Sequence, residues 1–243
     1  MYKGVNLPHL TNHQVKLKLC LLKQNAHPRL FMCTNFTPTQ NSQWVKQHFD
    51  IDLPTAQFPL ETYPGYAAPI VVQSQQTGRK ACGLARFGLI PGWAKDDKIS
   101  RHTYNARAET VSEKPSYRTA WRQRRFGIAV LDNFFEPNYA TGKAVRWKIE
   151  LSSNEPMGIA SLWDTWIDPS TGEVVTSFTM LTVNADDHPV MKQFHKAGDE
   201  KRTPVVLATH QFDAWLSADT TQAMDMMNTS QLPALQSVSS PRS

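Results

Sequence analysis

Cysteine is scarce in this chain, and the cysteines present do not pair into any recognisable pattern. Cys20, Cys33 and Cys82 are an odd number with no CxxC or Cys/His spacing. That excludes a disulfide framework and a structural zinc site. No apolar run approaches the roughly 20 residues that a bilayer span requires, so no membrane role is expected. GxGxxG, Walker and HExxH motifs are absent, which leaves nucleotide-binding and zinc-protease readings without a footing. No cofactor or metal is implied, there are no internal repeats, and the expected compartment is a reducing cytoplasm. Acidic residues are missing from the first 31 positions, where Lys3, Lys16, Lys18, Lys23 and Arg29 carry five positive charges. The whole chain has a formal net charge of +5, so everything after this leader is neutral and any basic surface must be local.

The basic leader does not read as a signal peptide. Its apolar stretch, VKLKLCLLK, is broken by lysines and no small-residue cleavage site follows. It could be an arm that pairs with a sheet edge or touches an acidic surface. The favoured reading is that the working protein starts later, because Met32 is followed directly by Cys33. The expected organisation is a leader over 1–31, one folded domain over 32–217, and a weakly ordered polar tail over 218–243.

Periodicity and turn residues outline the domain. Thr37-Pro38 reads as the N-cap and first turn of a helix running to about His48. A proline-rich connector follows over 50–69. Strands are expected at 68–73, 81–90, 126–136, 144–151, 158–163 and 174–185, with a further short one at 203–207. Thr171-Gly172 marks a hairpin turn, and short helices are expected at 115–125 and 210–217. Many strands with few helices imply an α+β domain with a central, barrel-like β core and peripheral helices.

Four short segments carry candidate chemistry: MCTNF (32–36), NARAET (105–110), NFFEP (133–137) and FHKAGDEKRTP (194–204). Taken together and in this order, with GLIPGW (88–93) ahead of the second, they resemble the SOS response-associated peptidase (SRAP) family. Its members begin Met-Cys and carry Asn-Ala-Arg-x-Glu, an aromatic-aromatic-Glu segment and a late His before Arg-x-Pro. The resemblance covers about residues 32–217. It implies a sensor of abasic sites in single-stranded DNA, located at the nucleoid through that DNA. In the family the initiator Met is removed, or preceding residues are cleaved by a peptidase-like activity. The exposed Cys then condenses with the sugar aldehyde to a thiazolidine, a stable DNA–protein crosslink.

The chemistry suits Cys33 only if that residue is N-terminal. An α-amine titrates near 8 and a thiol near 8.5, so both retain a nucleophilic fraction at neutral pH. The amine adds to the aldehyde, and the adjacent thiol closes a five-membered ring in an intramolecular step. An internal cysteine has no free amine. Without the resemblance, Cys33 would be read as a buried structural thiol, as Cys82 still is.

By resemblance, Glu136 handles protons during ring opening, and His195 is its acid/base partner. The bland reading of Glu136 is a strand-end surface acid; that of His195 is an ordinary surface histidine, with His188 as a competitor. Two departures from the family pattern are visible. Pro137 stands where relatives commonly have Trp, and the KAGDEK spacer after His195 is longer than in many of them. Asn105 would position the sugar or the amine, and Arg107 would meet a phosphate with its planar fork. The competing possibility is an Arg107–Glu109 pair, two residues apart on one face of an extended segment. Trp93 would stack on bases flanking the lesion, or else anchor its loop in the core. Arg118, with Arg122, Arg124 and Arg125, forms the dense basic cluster of a neutral body, split between DNA backbone contacts and helix capping. Pro69 and Thr182 match groove-lining positions of the family. The implied partner is single-stranded DNA containing abasic sites, and a monomer is the default. Two other classes stay open: a non-covalent single-stranded DNA module that keeps its leader, and a thiol hydrolase using Cys33 and His195.

Overall fold

Long strands of β-branched and aromatic residues dominate the chain, and their pairing closes a ring. In a computed structural model, residues 35–196, 198–228 and 232–242 are described. The leader, Cys20 and Cys33 lie outside those residues. Five strands make the ring: β2 (Ala67–Gln73), β3 (Lys80–Phe87), β5 (Phe126–Asn138), β7 (Met157–Ile167) and β8 (Val174–Asn184). The order β7-β8-β3-β2-β5 is closed by pairing of β5 with β7, which leaves these strands without free edges. All ring pairings are antiparallel except β3 with β8. The chain is therefore α+β with a closed five-stranded barrel, extra strands and a few helices.

Much of β5, β7 and β8 is buried on both faces, which is why these strands are rich in apolar residues. On β5, Ala129 and Leu131 join Ile70, Ile159, Phe178 and Met180 in one cluster, which the ring turns inward. The alternate residues Ile128 and Val130 face outward. Against that outer face pack Trp44, Val45 and Phe49 of α1 (Ser42–Phe49), Trp121 of α2 (Arg118–Arg122) and Phe212 and Trp215 of α3 (Phe212–Ser217). Trp215 is fully buried, and its indole N–H donates to the Gly127 carbonyl at 2.9 Å, so no polar atom of the ring is stranded.

Strand β5 does two jobs along its 13 residues. Its first half completes the barrel. Its second half pairs with β6 (Val145–Leu151) on one edge and β1 (Asn35–Pro38) on the other. The β1 register jumps from Asn133 to Leu131, leaving Asp132 as an extra residue. Such a bulge bends the strand and re-aims the side chains beyond it. Three further short strands extend the sheet: β4 (Asn105–Arg107) and β9 (Arg202–Pro204) pair with β8, and β10 (Val206–Leu207) pairs with β7.

Several expectations are corrected. Thr37-Pro38 is not a helix start: it belongs to β1, and the helix begins at Ser42 with the Asn41 side chain accepting the Trp44 N–H at 2.9 Å. Asn41 outcompetes Thr37 because the β5 edge takes residues 35–38 first. The helix expected over 115–125 is shortened to Arg118–Arg122, since Arg124 turns left-handed (φ 51°) to feed β5. The described residues after 217 include regular elements. They form α4 (Thr220–Met226), capped by Asp219, and β11 (Leu235–Ser239), which lies antiparallel on β6. Their polar composition hides this because β11 is an edge strand, half-exposed along its length. Pro137 leaves β5 intact: the strand continues to Asn138, with Pro137 opposite Arg146.

Among the described residues no helix is long and apolar enough to cross a membrane.

Candidate active site

Beyond the bulge, β5 delivers Glu136 into a buried position, 2% exposed. The neighbouring pairings fix it there: Glu136 lies opposite Trp147 on β6, and Phe135 lies opposite Asn35 on β1. The segment after β8 folds back against this end of β5. Phe194 bridges to Asn138, and the His195 amide donates to the Pro137 carbonyl at 3.2 Å. His195 adopts φ 65°, an uncommon backbone conformation for a non-glycine residue. The outcome is a histidine whose Nδ1 stands 3.9 Å from Glu136 Oε2.

The tautomer follows from the other ring nitrogen. His195 Nε2 lies 3.3 Å from the Arg202 carbonyl, which can only accept, so Nε2 carries the proton and Nδ1 faces Glu136 as a base. Burial pushes the His195 pKa below the usual histidine value, and the Arg202 carbonyl bond only partly offsets this. An acceptor Nδ1 facing a carboxyl group, both nearly dry, can take up a proton delivered to the site and share it between the two groups.

Arg202 anchors the neighbouring surface. It is fully buried, and its guanidinium donates two 2.8 Å bonds to Glu109, one of 2.7 Å to Glu200 and one of 2.7 Å to the Thr182 carbonyl. Burial raises the Glu109 carboxyl, but the Arg202 bonds outweigh it and hold Glu109 below its ordinary value. Arg107 does not pair with Glu109. It is half-exposed and bonds Glu200 at 2.7 Å. Arg107, Thr182 and Pro204 share one cross-strand line over β4, β8 and β9.

Asn105 lies two residues before Arg107 on the same face of β4, while the intervening Ala106 is buried against the core. Its carbonyl accepts from Tyr117 Oη at 3.0 Å. Thr182 is buried, with its hydroxyl 3.4 Å from the Ala106 carbonyl. Pro69 is buried within β2, opposite Leu84 and one residue before the β2–β5 pairing starts.

Trp93 does not anchor a core. It is 57% exposed, on a loop pinned from all sides. Gly88 enters that loop at φ +112°, where a Cβ would sit 2.2 Å from the Ser100 carbonyl oxygen, so only glycine fits. The Ile90 amide bonds Ser177 Oγ at 2.8 Å, the Trp166 indole bonds the Ala94 carbonyl at 2.8 Å, and the Trp93 indole reaches Pro115 O at 3.2 Å. That last bond sets Trp93 beside the approach to α2, where Arg118, Arg122 and Arg124 are exposed. Arg125 drops out of the basic cluster: it pairs with buried Asp164 and lies over the Trp163 ring.

Residues not singled out in the sequence complete the site's frame. Glu61 Oε1 accepts from the Asn35 side chain, from Tyr63 Oη at 2.6 Å, from Arg146 at 2.6 Å and from Arg242 at 2.9 Å. The Arg146 guanidinium covers the Phe135 ring at 3.2 Å, next to Glu136. No spacing in the chain signals this group, because its members are brought together from both ends of the fold.

Comparison with known proteins agrees with this architecture. Abasic site processing protein YoaM of Bacillus subtilis is 33% identical over 196 residues, covering 78% of this chain and 81% of YoaM. Abasic site processing protein HMCES of Gallus gallus is 24% identical over 138 residues, 48% of this chain and 41% of that protein. A crystal structure of a protein from Bordetella bronchiseptica has a TM-score of 0.76 at 28% identity, covering 86% of this chain and 100% of that one. A Bacteroides thetaiotaomicron protein shares the fold, with a TM-score of 0.68 at 18% identity over 85% of this chain and 91% of its own. Residues 32–240 match the family described as SOS response associated peptidase (SRAP). The chain belongs to that SRAP family.

Proposed function

We propose that this protein processes abasic sites in single-stranded DNA, and that it does so by forming a covalent link through Cys33 once that residue is N-terminal. The observation that carries the reading is the buried Glu136–His195 pair, 3.9 Å apart, beside the first residues of β1. Asn35 pairs opposite Phe135, the residue before Glu136.

The chemistry then runs in two steps. The Cys33 amine attacks the C1′ aldehyde of the ring-opened abasic sugar, and water leaves to give a Schiff base. Proton transfers at the nitrogen and the departing oxygen fall to Glu136 and His195. The Cys33 thiolate adds to the imine carbon, the nitrogen takes up a proton, and a thiazolidine results. With residues 1–32 attached, no free amine exists and the first step is blocked. Initiation at Met32 with loss of that Met, or cleavage before Cys33, removes the block. Asn105 positions the sugar or amine. Arg107 and Arg118 contact phosphates, Trp93 stacks on a flanking base, and Pro69 and Thr182 support the strands that line the groove.

The test is incubation of protein beginning at Cys33 with a single-stranded oligonucleotide carrying one abasic site, followed by a denaturing gel. A heat-stable shifted band is expected, and it is lost in Cys33→Ala and when the amine is acetylated. A heat-stable band from a chain that retains Met1, or from Cys33→Ser, overturns the ring chemistry.

A further inference from the structure

Glu200 lies in the spacer after His195 that is longer than in many relatives, and it does something the family pattern does not require. Its carboxylate spans two guanidiniums: Oε2 is 2.7 Å from Arg107 and Oε1 is 2.7 Å from Arg202. These two cations are unlike. Arg202 is fully buried, and Glu200 is one of three groups it bonds, beside Glu109 and the Thr182 carbonyl. Arg107 is half-exposed, and among the described residues its ion partner is Glu200. A carboxylate offered to a guanidinium has the charge and the oxygen geometry that a DNA phosphate would present.

We infer that Glu200 is an internal phosphate mimic that competes with the DNA backbone for Arg107, and so sets how weakly the protein holds undamaged single strands. This rests on the reading that Arg107 contacts phosphate. The carboxylate stays ionised at neutral pH. Burial raises its pKa, but Arg202 and then Arg107 outweigh that and hold it below the ordinary value. The backbone around it is tied independently of Arg107. The Lys201 amide donates to Asp186 at 3.0 Å, the His195 amide to Pro137 O, and the Lys201 ammonium to Lys196 O at 2.5 Å. Glu200 can therefore release Arg107 without dismantling the His195 turn. The functional consequence is discrimination. An intact strand must displace a carboxylate to gain one phosphate contact, whereas a strand with an abasic site is retained by the covalent bond whatever the strength of that contact.

The experiment uses an undamaged single-stranded oligonucleotide, so that no crosslink chemistry enters, with anisotropy titrations across a salt series. Wild type, Glu200→Gln, Arg107→Ala and the double variant are compared. Glu200→Gln is expected to bind about three- to five-fold tighter, the scale of one exposed ion pair. Its logarithmic salt slope should be steeper by about 0.7, the value for one additional phosphate on a single strand. In the Arg107→Ala background the Glu200 substitution is expected to have no effect. If Arg107→Ala weakens binding but Glu200→Gln does not strengthen it, the mimic is refuted and Arg107 remains a DNA contact. If Glu200→Gln strengthens binding equally in both backgrounds, the effect is general charge removal and the mimic is again refuted. If Arg107→Ala changes nothing in either background, the phosphate role of Arg107 fails and the mimic fails with it.

Discussion

Replacing Glu109 by Ala removes two of the bonds on a buried arginine, and its cost can be worked from the geometry. Arg202 is 2% exposed and donates to both Glu109 oxygens at 2.8 Å. Each bond to a charged group contributes about 1.5–3 kcal/mol when buried. Glu109 is 49% exposed, so water screens the pair, and Arg202 keeps Glu200 and the Thr182 carbonyl. The expected loss is about 2–3 kcal/mol, less than for removal of the sole partner of a buried charge. At about 2–4 °C per kcal/mol for a chain of this size, Glu109→Ala melts about 4–12 °C lower by calorimetry. Glu113→Ala, an exposed control, shifts stability by less than about 0.5 kcal/mol. The pH dependence has a definite sign. Because Arg202 holds the folded carboxyl below its ordinary value, the contribution of Glu109 is fully present above the unfolded value near 4.3 and is lost as pH falls through the lowered one. The acid limb of stability is therefore shallower in Glu109→Ala. A variant that melts within about 1 °C of wild type would show that Arg202 does not depend on Glu109, and the reasoning would fail.

Three further outcomes follow from the same structure. Gly88→Ala places a Cβ against the Ser100 carbonyl at a positive φ, which costs at least about 2 kcal/mol and lowers the melting temperature by about 4–8 °C; an unchanged melt would contradict it. Trp93→Ala weakens non-covalent single-strand binding by about 1–3 kcal/mol with little change in melting, read by anisotropy; equal affinity would remove Trp93 from the interface. His195 has a folded pKa lowered by burial, so its stability contribution is present above the unfolded value near 6.5 and lost as pH falls through the lower folded one. His195→Gln flattens that slope and slows crosslinking at neutral pH, and a pH–rate profile identical to wild type would exclude His195 from proton transfer.

The strands of the barrel are legible in the sequence because apolar and β-branched residues cluster in each between turn signals, and burial preserves such clustering. Their order is not, since nothing local distinguishes the β5–β7 closure from an open sheet. The same contrast holds in the site. Glu136 and His195 are visible through short sequence segments, yet their proximity arises from the left-handed His195 turn and the fold-back onto Pro137. Arg107 illustrates the limit most directly: its nearest acid in sequence, Glu109, is the obvious partner, but buried Arg202 claims Glu109 and leaves Arg107 to Glu200. The C-terminal strand escapes a reading of composition because polar edge strands resemble linkers until a partner edge is known.

The 13-residue β5 joins the barrel at one end and carries Glu136 at the other, which couples assembly to readiness. The zipping of β7 onto residues 126–131 and the placement of Glu136 thus fall on one strand. Its partners lie far away along the polypeptide, so that zipping is slow compared with helix formation. A partly denatured molecule in which that seam has opened is therefore expected to keep its local helices and hairpins while Glu136 loses its burial.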